Sequence, residues 1–131
     1  MKIFILEDSV ERIAFFYRLS DIGHNVTICN NVKDGIKILQ NIKFDYLLLD
    51  HDLGGLAYVD SRDDNTGYAL CQCIYNTMNC LSNIIIHSWN EVGANNMKYI
   101  LETNSHKGEV SVLMYMTDEF NERMERTFNL T

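Results

Sequence analysis

Carboxylate side chains follow directly after two of the most apolar segments of this sequence. Glu7 and Asp8 come after "KIFIL", and Asp50 comes after "LLL". If these segments are strands of one sheet, the carboxylates repel each other unless a cation lies between them or one keeps its proton. A hard divalent ion such as Mg²⁺ takes oxygen ligands and keeps waters that a phosphate can replace. We therefore expect a Mg²⁺-type site formed by Glu7, Asp8 and Asp50, with a solvated acidic rim as the alternative.

Imidazole side chains stand at similar positions. His51 lies between Asp50 and Asp52, and His87 follows the apolar run "NIII". Imidazole titrates near neutral pH, so it is well suited to give or take a proton during catalysis. We predict that His51 and His87 are catalytic base and acid, in an order that the residues leave open, with Asp52 orienting one ring. The alternatives are a polar turn residue for His51 and a backbone cap for His87.

The composition bounds the class of protein. The chain has 131 residues, 47% of them hydrophobic, which suits one domain over residues 1–131 with a buried core. Its net charge of −7 argues against binding an extended nucleic-acid backbone, but not against a small phosphate held through a metal ion. The four cysteines lack zinc-like spacing, and no apolar run is long enough to cross a membrane. We therefore expect a cytoplasmic protein with free thiols.

Apolar runs alternate with segments of helical spacing along the chain. Strands are predicted at residues 2–6, 25–29, 45–50, 83–88 and 109–116. Helices are predicted at residues 9–21, 32–41, 70–78, 94–101 and 120–128. Five strands alternating with five helices predict an α/β fold, a five-stranded parallel sheet that is doubly wound by helices on both faces. Ligands bind such sheets at the carboxyl ends of the strands, which is where the carboxylates and histidines stand.

The order of these elements resembles the receiver domain of response regulators over essentially the whole chain. "EDS" follows the first strand, "LLLD" ends the third and Ser88 ends the fourth. The resemblance implies a flavodoxin-like three-layer sandwich in which Glu7, Asp8 and Asp50 hold Mg²⁺ and Asp50 accepts a phosphoryl group. One departure is the segment "MYMTDEF", which places no lysine after the fifth strand, where receivers need one. Lys107 lies before that strand, at the wrong end.

A second departure is the connection over residues 51–65, which is far longer than its receiver equivalent. Connections beyond about 12–15 residues are uncommon in compact domains and are often functional, so we interpret this one as a lid or site loop; a flexible acidic excursion is the alternative. The segments "DHDL", "TG" and "HSWNEVGANNM" resemble, in the same order, those of cyclic-phosphate processing receiver domains. This resemblance implies activity on the cyclic phosphate of a nucleotide or of an RNA end.

The same motifs supply candidates for binding the phosphate. Ser88 and Asn90 are expected to contact phosphate oxygens, together with the free N–H groups that open the fourth helix. Thr66 and Gly67, which form the "TG" segment, join this group. Arg12 is expected either to pair with a carboxylate or to reach the phosphate.

These features favour a phosphoesterase-like domain that opens a cyclic phosphate, with Mg²⁺ or another divalent cation as cofactor. The expected partner is a small cyclic nucleotide or an RNA-terminal phosphate, and a protein partner stays open. One alternative is a degenerate receiver that binds a nucleotide or a protein. A phospho-accepting response regulator is disfavoured by the missing lysine and by His51 beside the acceptor. Trp89 is expected to pack under the loop, with stacking on a base as its alternative.

Overall fold

The computed structural model describes residues 1–55 and 57–131 of the chain. The strands are β1 (Lys2–Leu6), β2 (Asn25–Cys29), β3 (Tyr46–Leu49), β4 (Asn83–Ile86) and β5 (Val110–Val112). The helices are α1 (Val10–Asp21), α2 (Val32–Asn41), α3 (Gly67–Cys71), α4 (Glu91–Thr103) and α5 (Asp118–Phe128), with a 3₁₀ turn at Ile74–Asn76. All strand pairs are parallel, in the order β2-β1-β3-β4-β5. The predicted five-stranded, doubly wound α/β fold is confirmed.

Side chains of the central strands alternate between two cores. Leu47 and Leu49 face the core against α2, α3 and α4, whereas Leu48 faces the core against α1 and α5. Each buried leucine stabilises the fold by roughly 2 kcal/mol. Because the alternation continues past the strand ends, it decides toward which helix layer each site residue points.

The third helix is shorter than the predicted 70–78. It ends at Cys71, the 3₁₀ turn follows, and Thr77 is already extended, with φ −109° and ψ 175°. Asn79 explains the departure, because its buried amide donates to two carbonyl groups at the C-terminal end of α2 and accepts the Phe44 N–H, each at 2.8 Å. The chain leaves the helical path so that Asn79 can reach these backbone groups.

The fifth strand is also shorter than the predicted 109–116. It is an edge strand that pairs with β4 alone, and β4 ends at Ile86, opposite Val112. Past Val112, the Leu113 and Tyr115 N–H groups still donate to the Ile86 and His87 carbonyls at 2.8 and 3.1 Å, but the chain then turns through Met116, which has a φ of +64°. Thr117 then caps α5 by accepting the Phe120 N–H.

The cysteines are free, as predicted, but they differ in exposure. Cys29 and Cys71 are buried, whereas Cys80 is exposed. Burial raises the pKa of the Cys71 thiol well above its usual range, so this thiol stays protonated and unreactive. Among the described residues, no helix combines the length and apolar character that crossing a membrane requires.

Candidate functional site

Three carboxylates meet at the carboxyl edge of the sheet. Glu7 and Asp8 follow β1, and Asp50 follows β3, its parallel neighbour. One carboxylate oxygen of each residue lies within 4.8 Å of the other two. All three line a cavity of about 370 Å³, here called the acidic cavity, together with Ser88 after β4. The structure thus brings together the residues predicted as metal ligands.

Glu7 forms the buried back wall of the acidic cavity. Its Oε2 accepts the N–H groups of Asp8 and Ser9, each at 3.1 Å, and its Oε1 lies 3.0 Å from His87 Nε2. The Arg12 guanidinium lies 3.7 Å from the same Oε1. Burial alone would raise the pKa of Glu7, but the His87 and backbone hydrogen bonds and the nearby guanidinium lower it below its usual range. Glu7 is therefore ionised, and both of its oxygens already have protein partners.

Asp50 and Asp8 accept fewer hydrogen bonds from protein groups than Glu7 does. Asp50 is nearly buried, and burial together with repulsion from Glu7 raises its pKa to about 6, against the opposing effects of His87 and Arg12. Asp8 is half-buried, and its Oδ2 accepts the Gly55 N–H at 2.7 Å. A buried anion with so high a pKa is destabilised, so a cation beside Asp50 would stabilise its charged form.

The donor set of the acidic cavity suits a hard divalent cation. Mg²⁺ usually binds through one or two carboxylates and keeps several waters. Asp8 and Asp50 could supply these carboxylates, with Glu7 adding negative charge behind them. Asp52 is a fourth carboxylate on the lining, and Arg12 is the one basic residue among the described residues that line the cavity.

His51 is fully buried against α4. Its Nδ1 lies 2.7 Å from Asp52 Oδ1 and its Nε2 lies 2.9 Å from Ser61 Oγ, so both ring nitrogens have partners. The ring packs on the backbone of Gly93, where an added Cβ would lie 2.5 Å from His51 Cγ. Only glycine permits this approach, which explains the glycine in the first turn of α4.

His87 is fully buried on the other side of the sheet, against α1. Its ring centroid lies 5.0 Å from that of Phe16, and its Nε2 contacts Glu7. Its Nδ1 has no hydrogen-bond partner among the described residues. His87 therefore contacts the wall of the acidic cavity from behind, at the Glu7 carboxylate.

The expected pair of imidazoles facing one substrate is not formed. Leu49 of β3 pairs with Ile86 of β4, so His51 and Ser88, two residues further along, share one side of the sheet. His87 points to the opposite side because side chains alternate along the chain. Neither imidazole is among the residues that line the acidic cavity.

Asp52 anchors the long connection to the edge of the sheet. Its carboxylate accepts the N–H groups of Tyr58 at 2.6 Å and Val59 at 3.1 Å, and the Asn90 Nδ2 at 3.0 Å. Burial by itself would raise the pKa of Asp52, but the hydrogen bonds from His51, Asn90 and these backbone groups lower it below its usual range. One ionised carboxylate thus holds both the His51 ring and the loop.

Three of the predicted phosphate-binding residues, Arg12, Ser88 and Asn90, line the acidic cavity. The Arg12 guanidinium lies 4.0 Å from Asp50 Oδ1 and 4.6 Å from the centroid of the Tyr115 ring. The first helix therefore supplies a positive charge to a site that has no lysine after β5. Asn90 also caps α4, because its Oδ1 accepts the Gly93 N–H at 2.9 Å.

Thr66 and Gly67, predicted as phosphate ligands, lie away from the acidic cavity. Thr66 is buried, caps α3 and donates its hydroxyl to the Asp63 carbonyl at 3.0 Å. The Gly67 N–H donates to the His51 carbonyl at 2.9 Å, and a Cβ on Gly67 would lie 2.1 Å from the Asp50 carbonyl oxygen. These residues join the end of the loop to the backbone after β3.

The loop also forms one wall of a second cavity, of about 750 Å³, that the sequence did not predict. Three tyrosines, Tyr58, Tyr68 and Tyr99, line it with polar residues that include Ser61 and Asn96, and we name it the aromatic cavity. No periodic pattern or motif marks Ser61, and Asn96 lies inside the segment "HSWNEVGANNM" without having been predicted as a site residue, so the length of the connection was the main signal for this region.

Residues at the junction belong to both cavities. Tyr58 and Asn90 line the acidic cavity as well as the aromatic one. Tyr58 has a φ of +54°, a conformation rare for bulky residues, and is 76% exposed. The expectation that Trp89 packs under the loop is wrong, because Trp89 is 49% exposed and lines the acidic cavity.

Comparisons with known proteins agree with this architecture. The receiver domain of a sensor histidine kinase from Pseudomonas aeruginosa, with magnesium coordinated in its active-site cleft, is 18% identical, with a TM-score of 0.66 over 98% of this chain and 97% of that one. A two-component response regulator from Clostridium difficile is 15% identical, with a TM-score of 0.67 over 98% and 95% of the two chains. A response regulator from Thermotoga maritima, in complex with Mg²⁺ and beryllofluoride, is 16% identical, with a TM-score of 0.61 over 95% and 96%. At these identities the likeness establishes the receiver fold.

Sequence comparison specifies the family further. A search of curated proteins finds no significant match. The family model described as the cyclic-phosphate processing receiver domain matches residues 2–103, which include every strand-end carboxylate and both buried histidines of the site. The chain therefore belongs to the cyclic-phosphate processing receiver domains.

Proposed function

We propose that the acidic cavity binds the cyclic phosphate of a nucleotide or RNA end together with a divalent cation, and that the domain opens the phosphate ring. The observation that carries this proposal is the lining of the cavity, where a carboxylate cluster, a guanidinium and the Ser88 hydroxyl face one space of about 370 Å³. Membership of a family named for cyclic-phosphate processing supports the choice of substrate.

A phosphate anion needs compensating charge in this cavity. Four carboxylates and one guanidinium line it, so the uncompensated lining repels an anion. Asp8 and Asp50 would hold the cation, with Glu7 behind them. When bound, Mg²⁺ would offset the phosphate charge and polarise the phosphorus–oxygen bonds.

Arg12 and Ser88 are the residues best placed to hold the phosphate itself. A guanidinium forms strong charge-assisted hydrogen bonds with phosphate oxygens, and a serine hydroxyl can donate one more. The Asn90 Nδ2 is already committed to Asp52 and to the Val59 carbonyl, at 3.0 and 3.2 Å. We therefore assign Asn90 to holding the loop and not to binding the phosphate.

The histidines act through carboxylates in this proposal. His87 contacts Glu7, and His51 contacts Asp52, whereas neither ring lines the acidic cavity. Opening a cyclic phosphodiester with water breaks one phosphorus–oxygen bond of the ring, whose released oxygen takes a proton from solvent, and requires a group that accepts the proton of the attacking water. Asp52, with His51 behind it, is the carboxylate–imidazole pair on the cavity wall and is our candidate for that role, through its Oδ2. This oxygen accepts one N–H, that of Tyr58, whereas Oδ1 accepts from His51, Val59 and Asn90. Thr66 and Gly67 hold the loop that carries this pair.

Incubation with 2′,3′-cyclic and 3′,5′-cyclic nucleotides, in Mg²⁺ or in EDTA, tests the proposal. We expect a nucleoside monophosphate product, detected by phosphorus NMR, in Mg²⁺ alone. Ser88→Ala should lower turnover, whereas Ser20→Ala, at an exposed serine of α1, should not. Tight binding without turnover would favour a degenerate binding module. Stable labelling by a small phosphodonor that Asp50→Asn abolishes would favour a response regulator.

A further inference from the structure

The aromatic cavity differs chemically from the acidic cavity that it adjoins. Its lining includes three tyrosines, and Tyr99 is 68% exposed on the surface of α4. The charged groups among its described lining residues are Asp60 and Arg62, which pair with each other at 2.8 Å. A neutral, planar, partly polar group would suit such a lining, whereas the acidic cavity suits a cation and a phosphate.

We propose that the aromatic cavity binds the base of a cyclic nucleotide whose phosphate lies in the acidic cavity. This inference rests on the proposed function and specifies its substrate as a nucleoside cyclic phosphate. The cavities share Tyr58 and Asn90, so one ligand can contact both. The volume of about 750 Å³ lies within the range of small-molecule sites, roughly 300–1,000 Å³. Exposed aromatic rings bind bases by stacking, whatever the sequence.

The backbone at Tyr58 supports a role in binding. Its φ of +54° is unfavourable for a bulky residue, and such conformations persist where neighbouring groups impose them, often at ligand sites. Here the Asp52 carboxylate imposes it by accepting the Tyr58 N–H at 2.6 Å. The strained residue is 76% exposed and stands between the two cavities, so the loop holds an aromatic side chain at their junction.

A partly buried hydrogen-bond chain fixes the other end of this wall. His51 Nε2 lies 2.9 Å from Ser61 Oγ, and Asn96 Nδ2 of α4 donates to the same oxygen at 3.0 Å. Together with Asp52, these residues connect the strand end, the loop and α4. The cavity is therefore preorganised, which reduces the ordering that a ligand must cause when it binds.

Two measurements test the inference. The first is binding of adenosine, guanosine, cytidine or uridine in EDTA, followed by the NMR shift of the Asn96 side-chain amide, which requires neither a cation nor turnover. The second is the KM for a cyclic nucleotide compared with that for the cyclic phosphate of 1-O-methylribose, which lacks a base. Tyr99→Ala is the test variant, and Tyr75→Ala, at an exposed tyrosine of the 3₁₀ turn, is its control.

We expect at least one nucleoside to shift the Asn96 amide in the wild type and in Tyr75→Ala. Tyr99→Ala should weaken that binding and raise the KM for the cyclic nucleotide about tenfold, with the KM for the base-free substrate unchanged. The inference is overturned if none of the four nucleosides binds, or if Tyr99→Ala changes both KM values equally. Nucleoside binding without turnover of any cyclic phosphate would leave the base site standing and contradict the proposed function instead.

Discussion

The acidic and aromatic cavities lie side by side and share Tyr58 and Asn90, yet their walls arise differently. The charged wall of the acidic cavity is built mainly from residues just after β1, β3 and β4, whose positions the sheet determines, with Arg12 of α1 and a few loop residues completing it. The aromatic cavity is built from the long loop and one face of α4, which is joined to the loop by side-chain hydrogen bonds. The first therefore depends on charge placed by the fold, and the second on a loop conformation imposed by a few polar contacts.

That difference separates what a mutation should do in each region. Changing Asp50, which does not anchor the loop, should alter cation binding and pH dependence without moving the loop. Changing an uncharged residue that supports the loop should alter stability and nucleoside binding without altering the charge of the acidic cavity. Asp52 belongs to both groups, because it lines the acidic cavity and also holds the loop.

The largest effect is expected from Asp50→Asn on cation binding. The variant removes a charged ligand candidate, and losing even an outer partner of a metal ligand costs roughly 10–100-fold in affinity, so we expect a loss of about 100-fold or more. Trp89, the single tryptophan of the chain, lines the acidic cavity, so its fluorescence during a Mg²⁺ titration measures the change. Nucleoside binding should remain as in the wild type.

Asp21→Asn, at the exposed end of α1, is the matched control for that titration and should leave Mg²⁺ binding unaltered. Equal Mg²⁺ affinity in the wild type and in Asp50→Asn would show that the carboxylate cluster does not hold the cation.

The next effect is a pH dependence of stability in EDTA. Because the pKa of Asp50 is raised from 3.8 to about 6, the folded state binds more protons than the unfolded chain between these values. Stability therefore falls as pH rises from about 4 to 6, and the loss persists above 6. Asp50→Asn lacks this loss. The free energy of unfolding of Asp50→Asn minus that of the wild type, measured in urea, should therefore be about 2 kcal/mol larger at pH 7.5 than at pH 4.

For Asp60, which lines the aromatic cavity, we expect folding stability to change with pH in the opposite direction. Pairing with Arg62 lowers the pKa of Asp60 to about 2, so its contribution is present above pH 4 and disappears as pH falls toward 2. Asp60→Asn should therefore never gain stability on the wild type as pH rises. A gain in Asp60→Asn like that of Asp50→Asn would mean that the titration is not specific to the acidic cavity.

Gly93→Ala should destabilise the fold from the side of the aromatic cavity. The new methyl carbon would lie 2.5 Å from His51 Cγ, which forces the buried ring away from Asp52 and Ser61. Overpacking costs about 1–3 kcal/mol, and the better helix propensity of alanine offsets up to about 1 kcal/mol, so we expect a net loss of about 1–2 kcal/mol in urea unfolding.

Nucleoside binding should weaken in Gly93→Ala more than Mg²⁺ binding does, since His51 supports the loop. Asn95→Ala, exposed on the same helix, should change neither stability nor binding by a comparable amount. If Gly93→Ala weakened both kinds of binding equally, the two cavities would not be separable.

The sequence predicted the acidic cavity better than the aromatic one for a physical reason. Apolar runs locate strand ends, and parallel strands bring their ends to one edge, so Glu7, Asp8 and Asp50 could be grouped without coordinates. The separation of His51 from His87 depends on the pairing of Leu49 with Ile86, a register that neither strand encodes alone. A shift by one residue would have put both rings on the same side.

The conformation of the long loop could not be predicted from the sequence. Tyr58, Ser61 and the role of Asn96 depend on hydrogen bonds among residues with no periodic spacing. The "TG" segment shows the converse case, because a motif predicted from a family resemblance to bind phosphate lies outside the lining of the acidic cavity, with Thr66 buried. Its conformation instead reflects close packing of Gly67 on the Asp50 carbonyl.

The smallest effect, and the one that tests the shared wall directly, is expected from Tyr58→Asn. Asparagine tolerates a positive φ better than tyrosine does, so the variant should relieve part of a strain of about 1–2 kcal/mol and gain up to about 1 kcal/mol in urea unfolding. Met116→Asn, with a φ of +64° and outside both cavities, should gain similarly. Of these two variants, Tyr58→Asn alone should weaken nucleoside binding, because Tyr58 lies at the junction of the cavities and Met116 does not. A stabilised Tyr58→Asn that binds nucleosides as the wild type does would mean that the strain at Tyr58 serves the loop alone and not the ligand.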